Sequence, residues 1–322
     1  MLLIEPSHRH AAVVPTAPSH LVQSQFFRAR IYLVVLGALL ALPIFWSSFE
    51  KLIWLSMNSD HYTHIIFVPF VSAALIFSRR HRIFGRASQS WYPSAAAFIF
   101  AGACFIFAKV PALTVPAPFQ LSLMILSALA LLWAAFLICF GVQAFRAAMF
   151  PLLFLLLIVP FPEPWVNGLV HILQVASADV ADIVFRIAGM PVTRYGGSRF
   201  VFPGLAIEVA TECSGIRSFI SFLIGGLLSA HLFLRSPWKK AVWCLLLAPL
   251  AAVVKNGFRI AALAMYAEYV DKNILSTWVH TEGGVIFSFF TILIFAPILG
   301  LLARSEQQIS RPPARVYPIQ HH

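Results

Sequence analysis

Apolar runs recur from Ile31 to Ala303, broken only by short segments rich in Arg, Lys and Pro. A helix needs about 20 apolar residues to cross the hydrocarbon core of a bilayer, and a chain that repeats such runs has few folds open to it. With no water to bond stray N–H and C=O groups, each run must close its own backbone hydrogen bonds. The expected fold is an all-α integral membrane protein of about eight transmembrane helices. Composition agrees, since 60% of the 322 residues are hydrophobic and 11% charged, against roughly 25% charged in soluble domains. No polar segment is long enough for a separate soluble core. Residues 31–303 therefore read as one polytopic domain, between a disordered cytoplasmic tail at 1–30 and a cytoplasmic Pro/Arg tail at 304–322.

The net charge of +11 invites a nucleic-acid reading, but the distribution of the charge argues for no nucleic acid. The Lys and Arg residues cluster between the apolar runs, as they do where a membrane protein sets its orientation. With eight spans and both termini in the cytoplasm, fourteen of the 23 basic residues fall on inner segments and six on outer ones. The remaining three, Arg217, Lys255 and Arg259, lie inside spans. The opposite orientation would reverse this bias, so a multi-pass protein with both termini on the inner side is expected.

The run from Ile31 follows a polar tail, and no small-residue cleavage motif comes after it, so it reads as an uncleaved first helix ending near Ser48. A polar interruption at 49–63 contains Glu50, Lys51, Asp60 and His61. A second helix at 64–77 is short for a bilayer, and starts either near Trp54 or in the interface. Helices three and four are expected at about 93–109 and 119–141, and helix five after Arg146, stopped by the prolines of VPFPEP. Residues 165–190 mix Asp179, Asp182 and Arg186 with apolar positions, which suggests a small helix on the outer membrane surface. The runs SRFVF and LAIEV around Pro203-Gly204 predict a β-hairpin before helix six. Helix six is expected at about 215–234, helix seven at 241–265 and helix eight at 283–303.

The hairpin delivers the chain to TECSGIRSFISFL, where Cys213 sits between a polar approach and an apolar helix. A thiol at a helix start feels the positive end of the helix dipole, which favours thiolate and makes Cys213 a candidate nucleophile. Thr211, Glu212 and Ser214 flank it, and Arg217, four residues on, shares its helical face. Cys104, Cys139 and Cys244 lie within apolar runs and read as small core hydrophobes. Arg259 stands inside helix seven with Lys255 and Asn256 nearby, and an ionisable residue within a span marks either a functional site or an ion pair, here to Glu212 or Glu208. His280, just before helix eight, suits proton transfer or an interfacial position. The orientation places Cys213, Arg259 and His280 at one depth on the outer face. Asp60, His61 and His64 lack the further ligands that a catalytic zinc needs, so neither a metal nor a cofactor is expected.

The stretches TECSGIRSF, NGFRIA and the isolated His280 before a glycine-containing last helix resemble, in order and spacing, the motifs of the exosortase and archaeosortase family of membrane cysteine transpeptidases. The tracts DHYTHIIFVPF and PFPEP look similar as well, so the likeness runs from about residue 30 to 303. The resemblance implies Cys213, Arg259 and His280 as catalytic residues, with Arg217, Asn256 and Glu212 in support. It implies as partners exported proteins whose C-terminus carries a Pro-Glu-Pro-type motif, a transmembrane helix and a basic tail, with membrane lipid around the site and a polysaccharide or lipid as possible acceptor. A rival reading is a non-enzymatic transporter or a subunit for polysaccharide export, in which Arg259 and Glu212 form an ion pair.

Overall fold

The computed structural model describes residues 19–59, 61–85, 90–110, 116–271, 273–274 and 284–309. Among them, helix α1 spans Ser19–Asn58, a 3-10 turn covers Thr63–Ile66, and α2 (Phe67–Ser78), α3 (Arg80–Phe84), α4 (Trp91–Lys109), α5 (Ala117–Ala147) and α6 (Met149–Phe154) follow. Next come α7 (Glu163–Ile187), strands β1 (Thr193–Tyr195), β2 (Arg199–Val201) and β3 (Ala206–Glu208), and α8 (Ile216–Phe233). The chain closes with α9 (Pro237–Val242), a π-helical turn at Trp243–Leu247, α10 (Ala248–Tyr269) and α11 (Gly284–Ile309). Seven of these stretches are long and apolar enough to cross a membrane. The protein is an all-α, multi-pass membrane fold carrying one small sheet.

Prolines set several helix ends. Val110 and Val159 each precede a proline and take extended ψ values of 115° and 116°, because the proline ring disfavours the helical conformation of the residue before it. Pro164 occupies the first turn of α7, where its missing N–H costs no bond, and Glu163 meets the positive end of that helix. The C-terminus of α7 closes with Met190 N–H donating to Phe185 O at 3.0 Å and Gly189 N–H to Arg186 O at 3.1 Å, which satisfies two carbonyls that the helix would otherwise leave open.

Four expectations are corrected. The chain is helical from Ser19, so residues 19–30 do not belong to a disordered tail. The polar interruption expected from residue 49 is helical through Asn58, with Glu50 and Lys51 on the exposed side of α1 while Leu52 and Ser56 are buried. The hairpin gains a third strand, β1, and forms an antiparallel meander in the order β1-β2-β3. Residues 165–190, expected on the membrane surface, instead form most of α7, whose 25 residues reach the length and hydropathy of a span. The charges that suggested a surface helix are gathered in its C-terminal half and paired: Asp182 with Arg186 at 2.9 Å and Asp179 with Arg194 at 2.7 Å.

The chain forms two compact units, one of residues up to Lys51 with Val68–Val159, the other of Leu52–Phe67 and everything from Pro160 on. In the first, α4 and α5 pair along their lengths. Their apolar contacts are supplemented by hydroxyls that donate across the pair, Ser94 to Ala134 O and Ser127 to Ala101 O, both at 2.8 Å. In the second, the core joins Ala178, Ala181 and Phe185 of α7 to Phe200 of β2, to Phe202 just after that strand, and to Ile260, Ala261 and Ala264 of α10. Phe185 meets Phe200 and Phe202 edge-on with ring centroids 5.2 Å apart. Small residues let α7 and α10 approach closely. A Cβ built on Gly257 would lie 2.4 Å from Val180 Cβ and 2.9 Å from Ser177 O.

Candidate active site around Cys213

Cys213 ends a 3-10 turn, Thr211–Cys213, two residues ahead of the N-cap of α8. The turn is closed by Cys213 N–H to Ala210 O at 2.9 Å and Ser214 N–H to Thr211 O at 3.1 Å. The thiol is half-buried against the edge of the core formed by α7, the sheet and α10. The other three cysteines are buried, as their apolar surroundings predict.

The segment before and after Cys213 is gripped from two helices. On the α7 side, the Gln174 amide donates to Val209 O. On the α10 side, Asn256 Nδ2 donates to the carbonyl of Cys213 at 2.9 Å, and Lys255 Nζ donates to Ser218 Oγ at 2.6 Å. Consecutive residues of α10 therefore hold the chain on both sides of Gly215. That glycine is required twice over. Its φ of 84° lies in the left-handed region, and a Cβ there would sit 2.7 Å from Asn256 Cγ.

Arg259 lies one turn beyond Asn256 on α10, half-buried, with its Nε shielded from solvent. Arg217 projects from the first turn of α8 and is exposed. Arg259 and Arg217 both stand close enough to Lys255 to repel its ammonium, so the structure brings three cations together beside the cysteine segment. The Glu212 side chain and all of His280 lie outside the described residues. Glu208, the other acid proposed for Arg259, is exposed at the end of β3.

The sheet is tied to the same helix. Glu268, near the end of α10, accepts from Gly204 N–H at 2.9 Å and so anchors the turn between β2 and β3 that leads to Cys213. Two tracts distant in sequence also meet, as Tyr62 Oη donates to Phe161 O at 3.2 Å. Burial, and then the Glu163 carboxylate, hold the Tyr62 phenol above the usual tyrosine range, which keeps it a donor. Gln174, Ser218, Glu268 and the role of Gly215 were not read from the sequence. A lone glutamine in an apolar helix and a glycine directly after Cys213-Ser214 were the signals available.

These features describe a multi-pass membrane protein with a half-buried cysteine on a segment that hydrogen bonds from two helices hold in place. The chain belongs to the transmembrane exosortase family: the family model Transmembrane exosortase (Exosortase_EpsH) matches residues 54–296, about three quarters of its length. That span includes the cysteine segment, α10 and the Tyr62–Phe161 junction. Comparison with curated proteins and with solved structures gave no match.

Proposed function

We propose that the protein is a cysteine peptidase or transpeptidase of the bacterial inner membrane, acting at its outer face on exported proteins. Its substrates carry a C-terminal Pro-Glu-Pro-type motif, a transmembrane helix and a basic tail. The Cys213 thiolate attacks the carbonyl of the scissile peptide, and the Arg259 guanidinium stabilises the oxygen as it becomes negative. Collapse of the tetrahedral adduct expels the amine of the tail, which takes its proton from His280. The thioester that remains on Cys213 is then cleaved by an acceptor nucleophile or by water, restoring the thiol.

The observation that carries this reading is the clamp of Asn256 on the Cys213 carbonyl. It seats the cysteine against the helix that bears Arg259, within a chain of the exosortase family. A nucleophile and its oxyanion partner must keep a fixed separation to act together, and the hydrogen bond from the Asn256 amide to the Cys213 carbonyl supports such a constraint.

The test is processing of candidate substrates, read by intact mass, in cells carrying Cys213→Ala at wild-type membrane abundance. Retention of the whole C-terminal helix on every substrate is expected. Full processing by this variant would refute the mechanism. Reporter fusions after Pro203 and Lys272 should report the periplasm, and those after Arg82 and Lys239 the cytoplasm. A cytoplasmic signal at Pro203 would remove the cysteine from the outer face.

A further inference from the structure

Lys255 is only 6% exposed, and its described hydrogen bond goes to the neutral hydroxyl of Ser218. Among the described residues no carboxylate pairs with it. Among the described residues, the charged groups that act on it are Arg259 on its own helix and Arg217 on α8, both repulsive. Of the three acids of α7, the helix packed on α10, Asp179 pairs with Arg194 and Asp182 with Arg186, and Glu163 stands at the first residue of the helix, beside Tyr62.

A cation removed from water and set beside two others is costly, and such groups persist in membrane spans where they serve a site. An anion nearby offsets that cost. Lys255 grips residue 218 and Asn256 grips residue 213, so the ammonium is fixed to the same short segment as the thiol. Ser218, in the first turn of α8, holds the end of a long flexible side chain that would otherwise reach toward water.

We propose that Lys255 is a positioning residue for the reaction. Tethered by Ser218, its ammonium raises the share of Cys213 held as thiolate, and it does so without touching the substrate. The inference rests on Cys213 being the nucleophile.

The experiment uses the full chain in membranes. Alkylation by iodoacetamide is followed against pH by mass spectrometry of the Cys213 peptide, which leaves the other cysteines in place. The wild type should react well below the pH at which an ordinary thiol does. In Lys255→Met the profile should move up by about one pH unit, slowing alkylation by about tenfold at pH values below both midpoints, since the thiolate is the reactive form. Lys255→Arg should keep most of the wild-type rate. Labelling of the buried Cys104, Cys139 and Cys244 reports whether the fold survives. Where Lys255→Met exposes them, Ser218→Ala carries the test, because it frees the cation without removing it, and an upward shift of its profile is expected. An early wild-type profile unmoved by the informative variant overturns this inference and leaves the nucleophile standing. An ordinary profile in the wild type overturns both.

Discussion

The α4–α5 pair and the α7–α8–α10 cluster solve the same problem differently. Both hold apolar helices together where the hydrophobic effect gives little drive, because lipid tails are as apolar as the helices. The first uses neutral hydroxyls, with Ser94 and Ser127 each donating to a carbonyl of the partner helix. The second buries an amide and an ammonium, Asn256 and Lys255, and spends their hydrogen bonds on the segment around Cys213. Neutral hydroxyls are enough to hold a pair. Burying groups that are dearer to desolvate is justified only where their positions matter, which separates the scaffold from the site.

The comparison breaks most sharply at Gly257. A leucine there would overlap Val180 and the backbone of Ser177, so Gly257→Leu should destabilise the α7–α10 contact by about 3 kcal/mol or more. Loss of monodisperse protein from detergent extracts would show it. Gly102→Ala in α4, where nothing lies within 4 Å of the added carbon, should behave as wild type. Equal losses in both variants would erase the distinction between the two contacts.

Gly215→Ala comes next. Forcing a left-handed φ on alanine costs about 1–2 kcal/mol from the backbone alone, and the clash with Asn256 loosens the clamp on Cys213. Substrate processing should fall further than thermal stability does, and a variant that processes at the wild-type rate would show the clamp to be dispensable. The smallest effect is expected for Ser127→Ala, which removes one hydroxyl from the α4–α5 pair at about 0.6 kcal/mol. Processing should be unchanged and thermal midpoints nearly so. A marked loss of processing would mean that this pair is no mere scaffold.

Much of this molecule follows from local order along the chain. The apolar runs, the proline stops at Val110 and Val159, the turn at Pro203-Gly204 and the buried states of Cys104, Cys139 and Cys244 depend on neighbours within a few residues or on the solvent that a run demands. The cysteine segment and the arginine helix were legible for the same reason, since a polar group within an apolar run stands out in a one-dimensional pattern. The placement of α7 was not. Its Asp and Arg residues looked like marks of a surface helix because their partners, above all Arg194 for Asp179, are set by how the strands fold back. Nor could the sequence say that Asn256 would bond the Cys213 carbonyl, that Lys255 would end on Ser218, or that Tyr62 would reach Phe161. Those contacts join residues 37 to 99 positions apart. Periodicity fixes which face of a helix is apolar, but only the packing of one helix on another decides which polar groups on those faces come within hydrogen-bonding distance.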